Sequence, residues 1–109
     1  MNLYEFDKKK AKKSELTDVL YEDSHMRIER IVSMGQVTPE NFIYDQSEDE
    51  FVTVLKGEAV ISLVDENRDF HLYEGDSFMI YAGVRHKVTY TSSPCIWLCV
   101  FNKRRRLVC

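Results

Sequence analysis

The sequence predicts an all-β protein, a sandwich or barrel of short strands. Three observations carry this reading. From residue 26 onward the apolar residues recur with period two or in short runs. Turn residues separate these runs at regular spacing. No helical stretch of roughly 10–15 residues alternates with the strands, which sets aside a parallel α/β sheet.

The elements follow in order. Residues 1–24 are read as an N-terminal arm or short helix, because EFDKKKAKKSELTDVL has helix-forming lysines but only a thin apolar stripe. Residues 25–109 are read as one β-barrel domain. MRIERIVSM, 26–34, alternates Met26, Ile28 and Arg30 against Arg27, Glu29 and Ile31. FIYDQ, 42–46, is a short β-rich run, and FVTVL, 51–55, a strong strand. Gly57 suits a tight turn or bulge before EAVISLV, 58–64. DENRD, 65–69, is a hairpin loop leading to FHLY, 70–73. SFMIY, 77–81, and RHKVTYT, 85–91, are strands bounded by EGD and AG turns. CIWLCVF, 95–101, is nearly continuous in its apolar residues, as in a strand buried on both sides.

Composition bounds the function. A chain of 109 residues fits one domain, small enough that dimerisation would help it. The net charge of −3 argues against nucleic acid as a partner. KKKAKK, 8–13, and KRRR, 103–106, are read as solvated terminal runs, since no aromatic residues interleave with them to stack on bases. No stretch approaches the roughly 20 apolar residues of a membrane helix. The three cysteines, Cys95, Cys99 and Cys109, lack metal-ligand spacing, and their odd number suits reduced thiols in the cytoplasm. Cys95 and Cys99 read as small hydrophobes.

YDQSEDEFVTVLKG, 44–57, raises the functional question, because it crowds Asp45, Glu48, Asp49 and Glu50 against a buried strand. Carboxylates resist such crowding unless something pairs with them. Alternation puts Glu50, Val52 and Val54 on one face. With the valines inside, Glu50 points into the barrel mouth. Tyr44 and Gln46 share a face of the preceding run, and His86, Val88 and Tyr90 share a face of a later strand. A carboxylate and an imidazole converging in a barrel mouth need a partner, and either a divalent metal or a direct Glu–His hydrogen bond would serve. Asp45, Glu48 and Asp49 are then expected on a solvated loop outside.

At this point the sequence resembles the cupins, specifically the small single-domain conserved-barrel type. Glu50 and Gly57 keep the spacing of the family's first motif, and Gly75, Gly83 and His86 that of its second. Tyr81 stands where proline is usual, and Tyr90 where asparagine is usual. The resemblance covers about residues 35–101. It implies a double-stranded β-helix, or jelly-roll barrel. It also implies a metal set carried by the two histidines of the first motif, its glutamate and the histidine of the second. The first-motif histidines are absent here, and their positions fall on Tyr44 and Gln46, or in the other register on Ile43 and Asp45. The implied ligand set is therefore Tyr44, Gln46, Glu50 and His86, of which only the last two are ordinary strong ligands.

Two functions stay open. One is a small-molecule-binding cupin whose ligand sits among Tyr44, Gln46, Glu50, His86 and Tyr90, with a divalent metal (Zn, Fe, Mn or Ni) as a candidate cofactor. The other is a metal-dependent cupin enzyme of oxygenase, isomerase or decarboxylase type acting on a small acid or sugar. The missing histidines favour the first. The expected partners are a small-molecule ligand and a second copy in a homodimer.

Overall fold

The computed structural model describes residues 1–103. It is an all-β jelly roll with one short helix, as the sequence predicts. The elements are α1 Lys8–Lys13, β1 Leu16–Glu22, β2 Met26–Ser33, β3 Asp49–Lys56, β4 Ala59–Leu63, β5 Arg68–Leu72, β6 Ser77–Ile80, β7 His86–Thr91 and β8 Cys95–Asn102. Every named pairing is antiparallel. One sheet runs β1-β2-β8-β3-β6 and the other β5-β4-β7. No helix among the described residues is long and apolar enough to cross a membrane.

The period-two pattern decides which side chains enter the space between the sheets. Val52 and Val54 of β3, Ala59, Ile61 and Leu63 of β4, and Cys95, Trp97, Cys99 and Phe101 of β8 all face inward into one buried cluster. Each fully buried Val, Ile, Leu or Phe contributes roughly 1.5–3 kcal/mol of apolar transfer energy, so this cluster is the main source of stability. The other face of β8 is covered too. Ile96 packs with Val32 and Ala11 beneath α1, which explains the unbroken apolar run of this strand.

Three expectations need correction. Residues 1–24 do not stand apart as an arm. The helix is present, capped by Asp7, whose carboxylate accepts from Lys10 N–H, and it docks through Ala11. But Leu16–Glu22 is an edge strand paired with β2. The reason is Arg30, 3% exposed on the outer face of β2. Its guanidinium donates to the carbonyls of Leu3 and Glu5 at 3.0 and 2.8 Å and to Asp18 through Nε at 3.1 Å. These bonds tie the N-terminal segment down.

The run 42–46 is the second correction. Its β-forming residues make only a single bridge, Tyr44 to His86, because no neighbour extends the ladder on either side. Asp49 is corrected as well. It lies inside β3 rather than on a solvated loop, buried, and accepts the Ala82 N–H at 2.8 Å. Glu48 pairs with Arg27, and Asp45 is exposed as expected.

Candidate functional site

A cavity of about 570 Å³ opens between the sheets, with Ile61, Val88, Trp97 and Phe101 among its apolar walls. Glu50 enters it from the start of β3, on the face of Val52 and Val54. His86 enters from the start of β7, opposite Leu63 of β4. Tyr44 and Gln46 reach it from the loop between β2 and β3. That loop is strapped to the β6–β7 turn by the backbone. Tyr44 N–H donates to His86 O at 2.9 Å, His86 N–H to Tyr44 O at 3.0 Å, and Gly83 N–H to Gln46 O at 2.8 Å. The Tyr44 and His86 rings stack at 5.4 Å.

Four of the five residues singled out from the sequence thus line one cavity. Tyr90 does not: it is 43% exposed on the outer surface. A β-bulge at Thr89 is the cause. Val88 pairs with Ile61, yet Tyr90 pairs with Val60, so one residue of β7 is skipped and the inward parity passes from Val88 to Thr91. Arg85 forms an ion pair with Asp65 at 2.8 Å on the surface, and His71 lies against Glu58 at 3.6 Å.

The electrostatics of the site follow from burial. Burial pushes the Glu50 carboxyl above its usual range, against the opposing pull of hydrogen bonds from Gln46 and Cys99 and of the His86 ring. Burial also raises the Tyr44 phenol, and Glu15 and Glu50 add to this by charge. The Cys99 thiol is pushed well up by burial and by Glu50 beside it. Nδ1 of His86 lies 2.9 Å from the Val84 carbonyl, which can only accept, so Nδ1 donates there and Nε2 is the ring nitrogen left for the cavity.

Sequence reasoning missed several cavity residues. Arg27 and Glu29 sit on the inward face of β2 with Ile31. Their shared alternation was the available signal. Cys99 read as a plain hydrophobe, although its thiol lines the cavity with Glu50 and is pushed upward by it. Glu15 was hidden in the supposed arm, yet it lines the cavity and accepts from the Ser33 hydroxyl at 2.6 Å.

The carried-over set is a poor fit to a resident divalent metal. Gln46, whose amide N–H donates to Glu50 Oε1 at 3.1 Å, offers a metal only a neutral carbonyl oxygen. A phenol raised by burial is a weaker ligand still. Only Glu50 and His86 remain as ordinary donors, and among the described residues no three His, Cys, Asp or Glu side chains gather closely enough to hold a metal.

The fold and this glutamate–histidine mouth invite comparison with known proteins. The cupin domain family matches residues 31–101. A protein of Ralstonia eutropha JMP134, provisionally named a mannose-6-phosphate isomerase, is 34% identical, with a TM-score of 0.79 over 84% of this chain and 86% of that one. A cupin superfamily protein of Desulfitobacterium hafniense DCB-2 is 18% identical, with a TM-score of 0.73 over 84% of this chain and 79% of that one. A Streptococcus pyogenes protein of unknown function is 20% identical, with a TM-score of 0.72 over 97% of this chain and 92% of that one. The last two likenesses show the shared barrel alone. With the family match spanning β2 to β8, and Glu50, Gly57, Gly75, Gly83 and His86 at their motif positions, the chain belongs to the cupin family.

Proposed function

We propose that the protein is a small-molecule-binding cupin whose barrel cavity works without a resident metal. The observation that carries this is the convergence of Tyr44, Gln46, Glu50 and His86 at one end of a cavity otherwise walled by apolar side chains. Such a cavity, with a few convergent polar groups, is the ordinary form of a small-molecule site. The polar groups also bond one another, Gln46 donating to Glu50, which organises the mouth without an ion.

Elemental analysis of untagged protein purified without chelators tests the metal-free reading, with His86→Ala as control. Sub-stoichiometric metal in both is expected. Near-stoichiometric metal that disappears in His86→Ala would instead favour the metal-dependent enzyme, for which the name of the 34% identical relative suggests a sugar phosphate as substrate.

The same reading includes a homodimer. Its support is a row of side chains across the outer face of the five-stranded sheet: Met79, Phe51, Val100, Ile28 and Tyr21, each paired with the next. Met79, Phe51 and Tyr21 are 38%, 40% and 52% exposed. Light scattering at micromolar concentration is expected to give a dimer, and a monomer would overturn this part. A cytoplasmic location also belongs to the reading, supported by the unpaired buried thiols of Cys95 and Cys99.

A further inference from the structure

The charged groups of the cavity are unbalanced. Three carboxylates line it, those of Glu15, Glu29 and Glu50, against a single guanidinium, that of Arg27. Arg27 is fully engaged. Nη1 and Nη2 fork onto Glu48 at 3.1 and 3.0 Å, Nε donates to Glu29 at 2.6 Å, and the group lies 4.2 Å over the Phe101 ring. No lysine lines the cavity. An anionic ligand would therefore meet carboxylates and no cation free to pair with it.

The open polar groups are carboxylate oxygens and one ring nitrogen. His86 is 3% exposed, its Nδ1–H is spent on Val84 O, and Nε2 has no hydrogen-bond partner among the described residues. No buried side-chain nitrogen or oxygen among them lacks a partner, so Nε2 is open to the cavity. The Glu15 carboxylate is held in place rather than free to swing away. The Ser33 hydroxyl, fully buried, donates to it at 2.6 Å and is itself held by the Trp97 indole N–H at 3.2 Å. Glu15 and Glu29 are felt across the space, since both help to push the Cys99 thiol upward.

Resting on the small-molecule reading above, the geometry points to a protonated organic amine with an apolar body as the ligand class of this cavity. An ammonium group brings three donors and no acceptor, which matches a lining rich in acceptors. Its desolvation is offset only where carboxylates face it, and Glu15 and Glu50 line the cavity with no cationic side chain paired to them among the described residues. The body of the ligand fits against Ile61, Val88 and Trp97. A phosphate ester would meet the opposite of what it needs.

Titration calorimetry on the full chain near neutral pH tests this. The probes are a graded series of primary amines from propylamine to phenethylamine, each with its matched alcohol and carboxylate, and mannose 6-phosphate. At least one amine is expected to saturate, bound about tenfold or more tightly than its alcohol, a difference of about 1.4 kcal/mol. The carboxylates and the sugar phosphate are expected to give no saturable heat. Glu15→Gln, a change at an exposed position, is expected to weaken the amine severalfold and the alcohol by clearly less, since only the amine loses a charge pair. Tighter binding of a carboxylate or of mannose 6-phosphate would overturn the amine assignment while leaving the small-molecule site intact. Saturation by none of the probes would overturn both.

Discussion

The side-chain amide of Gln46 donates to Glu50 Oε1 at 3.1 Å, joining the loop before β3 to the strand's first inward side chain. This bond favours the ionised carboxylate, yet burial outweighs it and keeps Glu50 above the usual carboxylate range. Glu50 therefore holds its proton more tightly folded than unfolded. The stability it contributes is fully present below the ordinary value of 4.5 and is lost as pH rises through the higher folded value. Glu50→Gln removes this titration. Its Tm relative to the parent protein should climb across that window and level off above it. A Tm difference that stays flat with pH would show an ordinary carboxyl.

Tyr90 and His86 should separate cleanly in binding. Tyr90 projects outward beyond the Thr89 bulge, so Tyr90→Phe should leave the calorimetric affinity for an amine probe unchanged. His86→Ala removes the open Nε2 and should weaken the same probe about tenfold, the loss of one hydrogen bond to a charged group. Equal losses in both variants would place Tyr90 in the site.

Gly57 should tolerate no side chain. Its φ is +83°, and a Cβ there would lie 2.4 Å from the Pro94 carbonyl oxygen and 2.2 Å from Ser92 Oγ. Gly57→Ala combines left-handed strain with a backbone collision and should cost on the order of 3 kcal/mol in denaturant unfolding. Gly35 has φ +85° but open space around it, so Gly35→Ala should cost only about 1 kcal/mol. Similar losses at the two positions would mean that the chain around Ser92–Pro94 yields easily.

Arg30→Ala should loosen the N-terminal segment before it unfolds the barrel. The change leaves the carbonyls of Leu3 and Glu5 without their donor and should cost about 3 kcal/mol. Hydrogen exchange should rise first in residues 3–18. Arg30→Lys should restore little, since a point charge cannot reach two carbonyls and Asp18 together. Full rescue by lysine would reduce the role of Arg30 to its charge.

Much of this was legible in the residues themselves. The inward valines of β3 placed Glu50 correctly, because period two leaves a strand only two faces. The seven strands from residue 26 onward that the structure retains carry that pattern. Leu16–Glu22 was illegible because its neighbour is a lysine run and its stripe is thin. Its place depends on a single buried arginine from another strand. Phe42–Gln46 misled in the opposite sense, with β-forming side chains but no partner strand beyond one bridge. Tyr90 was unreadable for a third reason: no residue type marks the bulge at Thr89, and one extra residue reverses every face after it.

The position of β8 has a consequence for how the protein is made. It lies between β2 and β3 at the centre of the larger sheet, yet it is the last of the eight strands to leave the ribosome. Until it arrives, β2 and β3 each present an open edge, and the cavity lacks the wall that carries Trp97, Cys99 and Phe101. The nascent barrel thus waits, with strand edges bare, for its keystone.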